Sequence, residues 1–218
     1  MKEYTAFFDL DNTILSTSSG KMLIRFLREH GLISKWGLFR IFSIMWLYRT
    51  GMVNPDRAMD MISMMYRGVY EASIIRQAEE LFEEYLKNRI RKDAEKEIKF
   101  HREQGGSTVI LSASTSHICR TVMDHLGMDG MLCTVMDVRD SRLTGKTLDG
   151  YCHGEEKLRR ARAWCKERGQ SLDDAYYYAD ALADLPALES VGHPRCVTPD
   201  ERLREIAKER KWQICEWT

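Results

Sequence analysis

The fold class predicted here is α/β: a doubly wound parallel sheet, wrapped by helices on both faces, with a helical cap inserted after the first strand. Three observations carry it. Apolar runs of strand length alternate with helical patterns, which implies a parallel sheet covered on both sides. An acid or a hydroxyl residue stands at the end of three of those runs. The long stretch from Ser16 to Gly106 carries helical signals and no convincing strand.

Tyr4 to Phe8 is the first strand, and it runs directly into Asp9-Leu10-Asp11-Asn12-Thr13. Strand alternation would place Asp9 and Asp11 on one side. Two buried carboxylates raise each other's pKa and lose water, a conflict that a divalent cation removes. One carboxylate can then serve as nucleophile while the other handles protons. The plain alternative is a strand end entering an Asp/Asn-rich turn.

Within the insertion, Asn54-Pro55-Asp56 reads as a helix start, with Asn as cap and Pro at the first helical position. Ile74, Ala78, Leu81, Phe82 and Tyr85 form an apolar stripe opposite Glu79, Glu80, Glu83 and Glu84. Residues 36–48 are apolar nearly all round. As a helix they would extend about 20 Å, short of the roughly 30 Å hydrocarbon core of a bilayer, and Arg40 sits in the middle. A buried cap helix is expected, with an interfacial membrane contact or a greasy substrate or partner surface as alternatives.

Thr108 to Leu111 is the second strand, introduced by Gly105-Gly106 and followed by Ser/Thr residues suited to helix capping. Helical patterns follow at 117–126, 155–168 and 200–210, the middle one stopping at Gly169. Residues 134–148 resemble a β-hairpin standing off the core. Ala175 to Tyr178 is a third core strand and Arg195 to Val197 a fourth. The expected division is a core of 1–15 and 107–218 with a cap of 16–106. Ligands of such sheets sit beyond the carboxyl ends of the strands, so Asp9, Ser112 and Asp180 are expected at one edge.

Composition narrows the function. The 33 Lys+Arg balance 33 Asp+Glu, which argues against a nucleic-acid binder. The six cysteines are scattered without zinc-like spacing, and reduced thiols are expected. Met-Lys-Glu-Tyr leads straight into the first strand, so no signal peptide and a cytoplasmic location are expected.

Four separated motifs, in order, resemble the haloacid dehalogenase superfamily of phosphohydrolases, in the branch that includes phosphoserine phosphatase. They are Asp9-Leu10-Asp11-Asn12-Thr13, Val109-Ile110-Leu111-Ser112, Lys157 in Gly154-Glu155-Glu156-Lys157, and Asp180-Ala181-Leu182-Ala183-Asp184-Leu185-Pro186. The resemblance implies a Mg²⁺-dependent phosphatase acting on a small phosphate monoester. Asp9 would be the nucleophile and Asp11 the general acid and base. Asp9, Asp11 (through its backbone carbonyl) and Asp180 would hold the metal, with Asp184 binding metal-bound water or orienting Lys157. Ser112, Lys157 and Thr13 would bind the phosphoryl group. Lys157 falls in the first turn of its helix, where the macrodipole disfavours a cation unless an anion lies nearby.

Departures from the pattern concern the substrate. Ser112 is followed by Ala113-Ser114 instead of two glycines, Ala183 replaces an Asn, and Ser18 stands where a cap glutamate is common. L-phosphoserine is therefore not the expected main substrate. Ser16 to Lys21 and the 36–48 helix are the candidate cap contacts, favouring hydrophobic bulk or a choline- or ethanolamine-like head. Two other functions remain open: phosphotransfer from the same intermediate, and a scaffold whose apolar cap binds a membrane or protein. The oligomeric state is left undetermined.

Overall fold

The computed structural model describes residues 3–218. Seven strands form one sheet: β1 (Thr5–Phe8), β2 (Ser107–Thr115), β3 (Gly130–Arg139), β4 (Arg142–Leu148), β5 (Tyr176–Ala179), β6 (His193–Val197) and β7 (Gln213–Cys215). Their order is β4-β3-β2-β1-β5-β6-β7, and every pair is parallel except β3 with β4. The sheet is thus the doubly wound one expected.

β1 is central because it is apolar on both faces, and all four of its residues are buried. Phe8 pairs with Ile110 of β2 on one side and Tyr178 of β5 on the other. The strand order reverses here, which opens a crevice beyond the carboxyl end of β1. Ala6 and Phe8 face one core, shared with Ile110 and with α5 (Lys92–Glu103) and α6 (Ser116–Leu126). Phe7 faces the other, shared with Val109, Tyr177 and α7 (Glu155–Glu167). The short α8 (Leu185–Leu188) and α9 (Glu201–Glu209) complete that layer.

Between β1 and α5 lie α1 (Ser19–Glu29), α2 (Lys35–Arg49), α3 (Pro55–Met64) and α4 (Glu71–Leu81). Ser18, Ser34 and Asn54 cap the first three, each side chain accepting a backbone N–H bond. The block rests on the edge of β4: Leu143 N donates to Val69 O (2.9 Å) and Gly68 N to Leu143 O (2.8 Å). The Arg142 guanidinium lies over the Tyr70 ring, 3.6 Å from its centroid.

The hairpin expected over 134–148 is present, with Val135 to Arg139 pairing with β4, and β3 extends back through Gly130 to Thr134, which pair in parallel with β2. One expectation is corrected: the 36–48 helix is not buried, since in α2 only Ile41 and Ile44 are, while its aromatics face solvent. A helix apolar all round offers no pattern from which to read the face that packs.

Candidate active site

β1 stops at Phe8. Asp9 N still donates to Tyr178 O (2.8 Å), but the chain then enters a wide turn over Leu10–Ile14, closed by Leu15 N to Leu10 O (2.9 Å). Asn12 takes a positive φ of 55°, a conformation asparagine tolerates well. The alternation expected to align Asp9 with Asp11 therefore ends before Asp11. Asp11 turns to the start of α1, where Oδ1 accepts from Ser19 N (2.9 Å) and Oδ2 from Ser18 Oγ (3.2 Å).

Asp9 meets Lys157 instead. Lys157 Nζ lies 3.0 Å from Asp9 Oδ1 and 2.6 Å from Asp184 Oδ1, with all three side chains nearly buried. The ammonium also donates to Tyr177 Oη (3.1 Å), and Tyr177 Oη donates to Asp184 Oδ1 (2.6 Å). α7 packs on the Phe7 face and so carries Lys157 into the crevice. The carboxylates of Asp9, Asp180 and Asp184 each bring an oxygen within 4.8 Å of the others.

The charges do not balance within this cluster. Burial, with the charges of Asp184, Asp180 and Asp11, pushes the Asp9 carboxyl up to about 8 against the pull of Lys157. Burial and Asp184 raise Asp180 to about 7, opposed by the charge of Lys157 and then by a hydrogen bond from Asn12. For Lys157, burial favours the neutral amine, but Asp184 and Asp9 outweigh it and hold the pKa well above its ordinary value. One ammonium serves three carboxylates, so the site has room electrostatically for a cation. The all-oxygen donor set suits a hard ion such as Mg²⁺.

Ser112, Thr13 and Asp11 are not bonded to this cluster. Ser112 ends the buried part of β2, and its Oγ accepts from Ser114 N (3.2 Å), which leaves its O–H to donate elsewhere. Thr13 is buried, and its Oγ1 has no hydrogen-bond partner among the described residues. Tyr177 and Asn12 were not singled out from sequence. Alternation along β5 separates Tyr177 from Tyr176 and Tyr178 but does not say which face meets α7, and nothing local marks Asn12.

Beside Asp11 opens a cavity of about 310 Å³. Leu23, Ile62, Ile74 and Met136 supply apolar wall, Ser18 to Gly20 one rim, and Tyr151 and Ser114 another. Ser19 Oγ lies 2.7 Å from Ser114 Oγ, tying α1 to the end of β2. No lysine or arginine lines the cavity. None of residues 36–48 lines it either, so the aromatic helix does not supply the cap contacts expected of it.

A switch-point crevice holding three clustered acids and a buried lysine defines a site for an anion and a cation together. A family model described as haloacid dehalogenase-like hydrolase matches residues 6–189, and the chain belongs to that family. A probable phosphatase of Mycobacterium tuberculosis is 29% identical over 98% of this chain and 75% of its own length. A histidinol-phosphatase of Neisseria meningitidis is 26% identical over 96% of both chains. A crystal structure of a protein of unknown function from Bordetella pertussis superposes with a TM-score of 0.92 at 25% identity, covering 99% of each chain. A phosphoserine phosphatase solved as a phospho-aspartyl intermediate analogue shares the fold, with a TM-score of 0.70 at 18% identity over 99% of this chain and 93% of that one.

Proposed function

We propose that this chain is a Mg²⁺-dependent phosphatase that hydrolyses a small phosphate monoester through an aspartyl-phosphate on Asp9. The observation that carries the reading is the buried Lys157, bonded to both Asp9 and Asp184, beside the clustered carboxylate of Asp180. Asp9, Asp180 and the backbone carbonyl of Asp11 would hold the metal. When bound, Mg²⁺ offsets the charge of the carboxylates and of the phosphoryl group, letting an anionic nucleophile approach an anionic ester.

Asp9 Oδ1 already accepts from Leu10 N (2.8 Å) and Lys157, which leaves Oδ2 as the attacking atom. Oδ2 bonds to phosphorus as the P–O bond to the leaving group breaks, and Asp11 delivers its proton to the departing alkoxide. Burial raises the Asp11 pKa, against the opposing hydrogen bonds of Ser19 and Ser18, which suits a carboxyl that must carry a proton. Asp11 then takes a proton from water as that water's oxygen bonds to phosphorus. The bond to Asp9 breaks and inorganic phosphate leaves. Ser112 and Thr13 donate to phosphoryl oxygens and Lys157 offsets their charge, while Asp184 and Tyr177 fix the ammonium.

The insertion expected over 16–106 acts in this reading as the cap, with α5 returning the chain to the sheet. Its cavity selects the leaving group. The wall carries no Lys or Arg; its one basic side chain is His117, whose pKa burial lowers, so a neutral or cationic leaving group is favoured and a second anion, such as the carboxylate of L-phosphoserine, would meet no fixed positive charge. All six cysteines are free thiols, which suits the cytoplasmic setting expected.

The test is phosphate release from a panel of monoesters, histidinol phosphate and L-phosphoserine included, with Mg²⁺ or EDTA, beside Asp9→Asn. Turnover should require the metal and fall at least about a thousandfold in the variant. Activity that survives Asp9→Asn rules out the aspartyl-phosphate. A phosphorylated acceptor in place of inorganic phosphate would make the enzyme a phosphotransferase.

A further inference from the structure

α2 leaves its aromatic side chains in solvent. Trp36 is 78% exposed, Phe39 64%, Phe42 57% and Trp46 60%. At 100° per residue these four fall within an arc of about 120°, opposite the arc of the two buried residues, Ile41 and Ile44. These four make one continuous face; Tyr48, 44% exposed, lies on the other side at the C-terminal end of the helix. The face continues onto α3, where Met61 and Met64 flank a groove shared with Phe39 and with Arg57 and Asp60, whose charges offset each other. Isolated exposed apolar residues need no explanation, but a face of four aromatics does.

The cavity beside Asp11 does not use this face, since none of its lining comes from α2. The helix does not cross a bilayer either, being 15 residues long with three charges. Its charges select the partner. Lys35, Arg40 and Arg49 are exposed, and α2 has no Asp or Glu, although the whole chain is neutral. Lys35 and Arg49 sit at the two ends of the helix on its aromatic side, Lys35 within the arc and Arg49 about 20° outside one edge, while Arg40 lies about 40° beyond the other. Two-fold pairing with a second copy would bring this positive helix against itself, which costs free energy. A negatively charged lipid surface pairs with the basic residues and takes Trp and Phe at headgroup depth.

We propose that the exposed face of α2 docks the protein onto an anionic lipid bilayer, with the helix lying in the interface plane. This docking is independent of the phosphatase reading and would hold for a catalytically inactive chain.

The test is flotation of the purified full chain with vesicles of phosphatidylcholine alone or mixed with phosphatidylglycerol, at low and high NaCl. The protein should float with the mixed vesicles, less so at high salt, and its tryptophan emission should shift to the blue. Trp36→Ser with Trp46→Ser should weaken binding at least about tenfold, because each buried indole is worth more than the factor-of-ten threshold. Lys35→Gln with Arg40→Gln and Arg49→Gln should abolish the preference for phosphatidylglycerol while keeping the fold, checked by circular dichroism and Tm. Failure of the folded protein to float with either vesicle overturns the proposal. So does vesicle binding unchanged in both variants. A dimer in sedimentation velocity that the tryptophan variant dissolves, without vesicle binding, would assign the face to a second copy instead.

Discussion

Asp184 Oδ1 accepts two hydrogen bonds of 2.6 Å, one from Lys157 and one from Tyr177. The tyrosine thereby fixes the acid that fixes the ammonium, and burial with the charge of Asp184 holds its own pKa well above the ordinary phenol value. Tyr177→Phe removes two buried charge-assisted hydrogen bonds, one accepted from Lys157 and one donated to Asp184, and leaves the ion pair in place. A hydrogen bond to a charged group is worth about 1.5–3 kcal/mol, so Tm should fall by several degrees. kcat/KM should fall about tenfold as Lys157 gains freedom, measured by steady-state kinetics under saturating Mg²⁺. Wild-type kcat/KM would show that Tyr177 only fills space. At this scale Asp9, Lys157, Asp180 and Asp184 were legible because each belongs to a motif of fixed spacing. Tyr177 was not, because its role depends on which face of β5 meets α7.

Gly154, the residue before α7, has φ 55° and ψ −124°, a conformation that a Cβ disfavours. That kink sets the direction in which the first turn carries Lys157. Gly154→Ala should cost about 1–3 kcal/mol of stability in chemical denaturation, with a disproportionate loss of phosphate release. On the opposite layer α5 is joined to the sheet by His101. Tyr178 Oη donates to Glu97 (2.9 Å), so it accepts from His101 Nε2 (2.9 Å). Burial with the charges of Arg195 and His193 lowers the ring's pKa to about 4 from 6.5, so the ring is neutral at pH 7 and Nδ1 accepts from Tyr4 Oη (2.9 Å). The lower folded value means that the unfolded chain binds the extra proton first. His101 therefore contributes full stability above about pH 6.5 and loses it as pH falls toward 4. The acid-side fall of Tm in wild type should be shallower in His101→Gln; an identical slope would show that other groups carry it. Neither Gly154 nor His101 was legible as a structural joint, since the partners of each are remote in sequence.

Across the whole molecule, three acids from two separate segments converge because β1 and β5 are neighbours at the switch point. A cation bound there stabilises the folded chain alone. Saturating Mg²⁺ should therefore raise Tm by several degrees, since a ligand at a hundred times its Kd adds about 2.7 kcal/mol. Asp180→Asn should remove most of that rise, read by thermal unfolding with and without the metal. The sequence by itself determined the sheet class, the strand ends that carry acids and the family, because alternation, apolar runs and motif spacing are local properties of a chain. It did not determine that β3 joins the main sheet, that Asp11 turns away to α1, or which face of α2 is covered. Those outcomes depend on pairing and packing between remote segments, and only the tertiary structure decides where an apolar surface finds a neighbour.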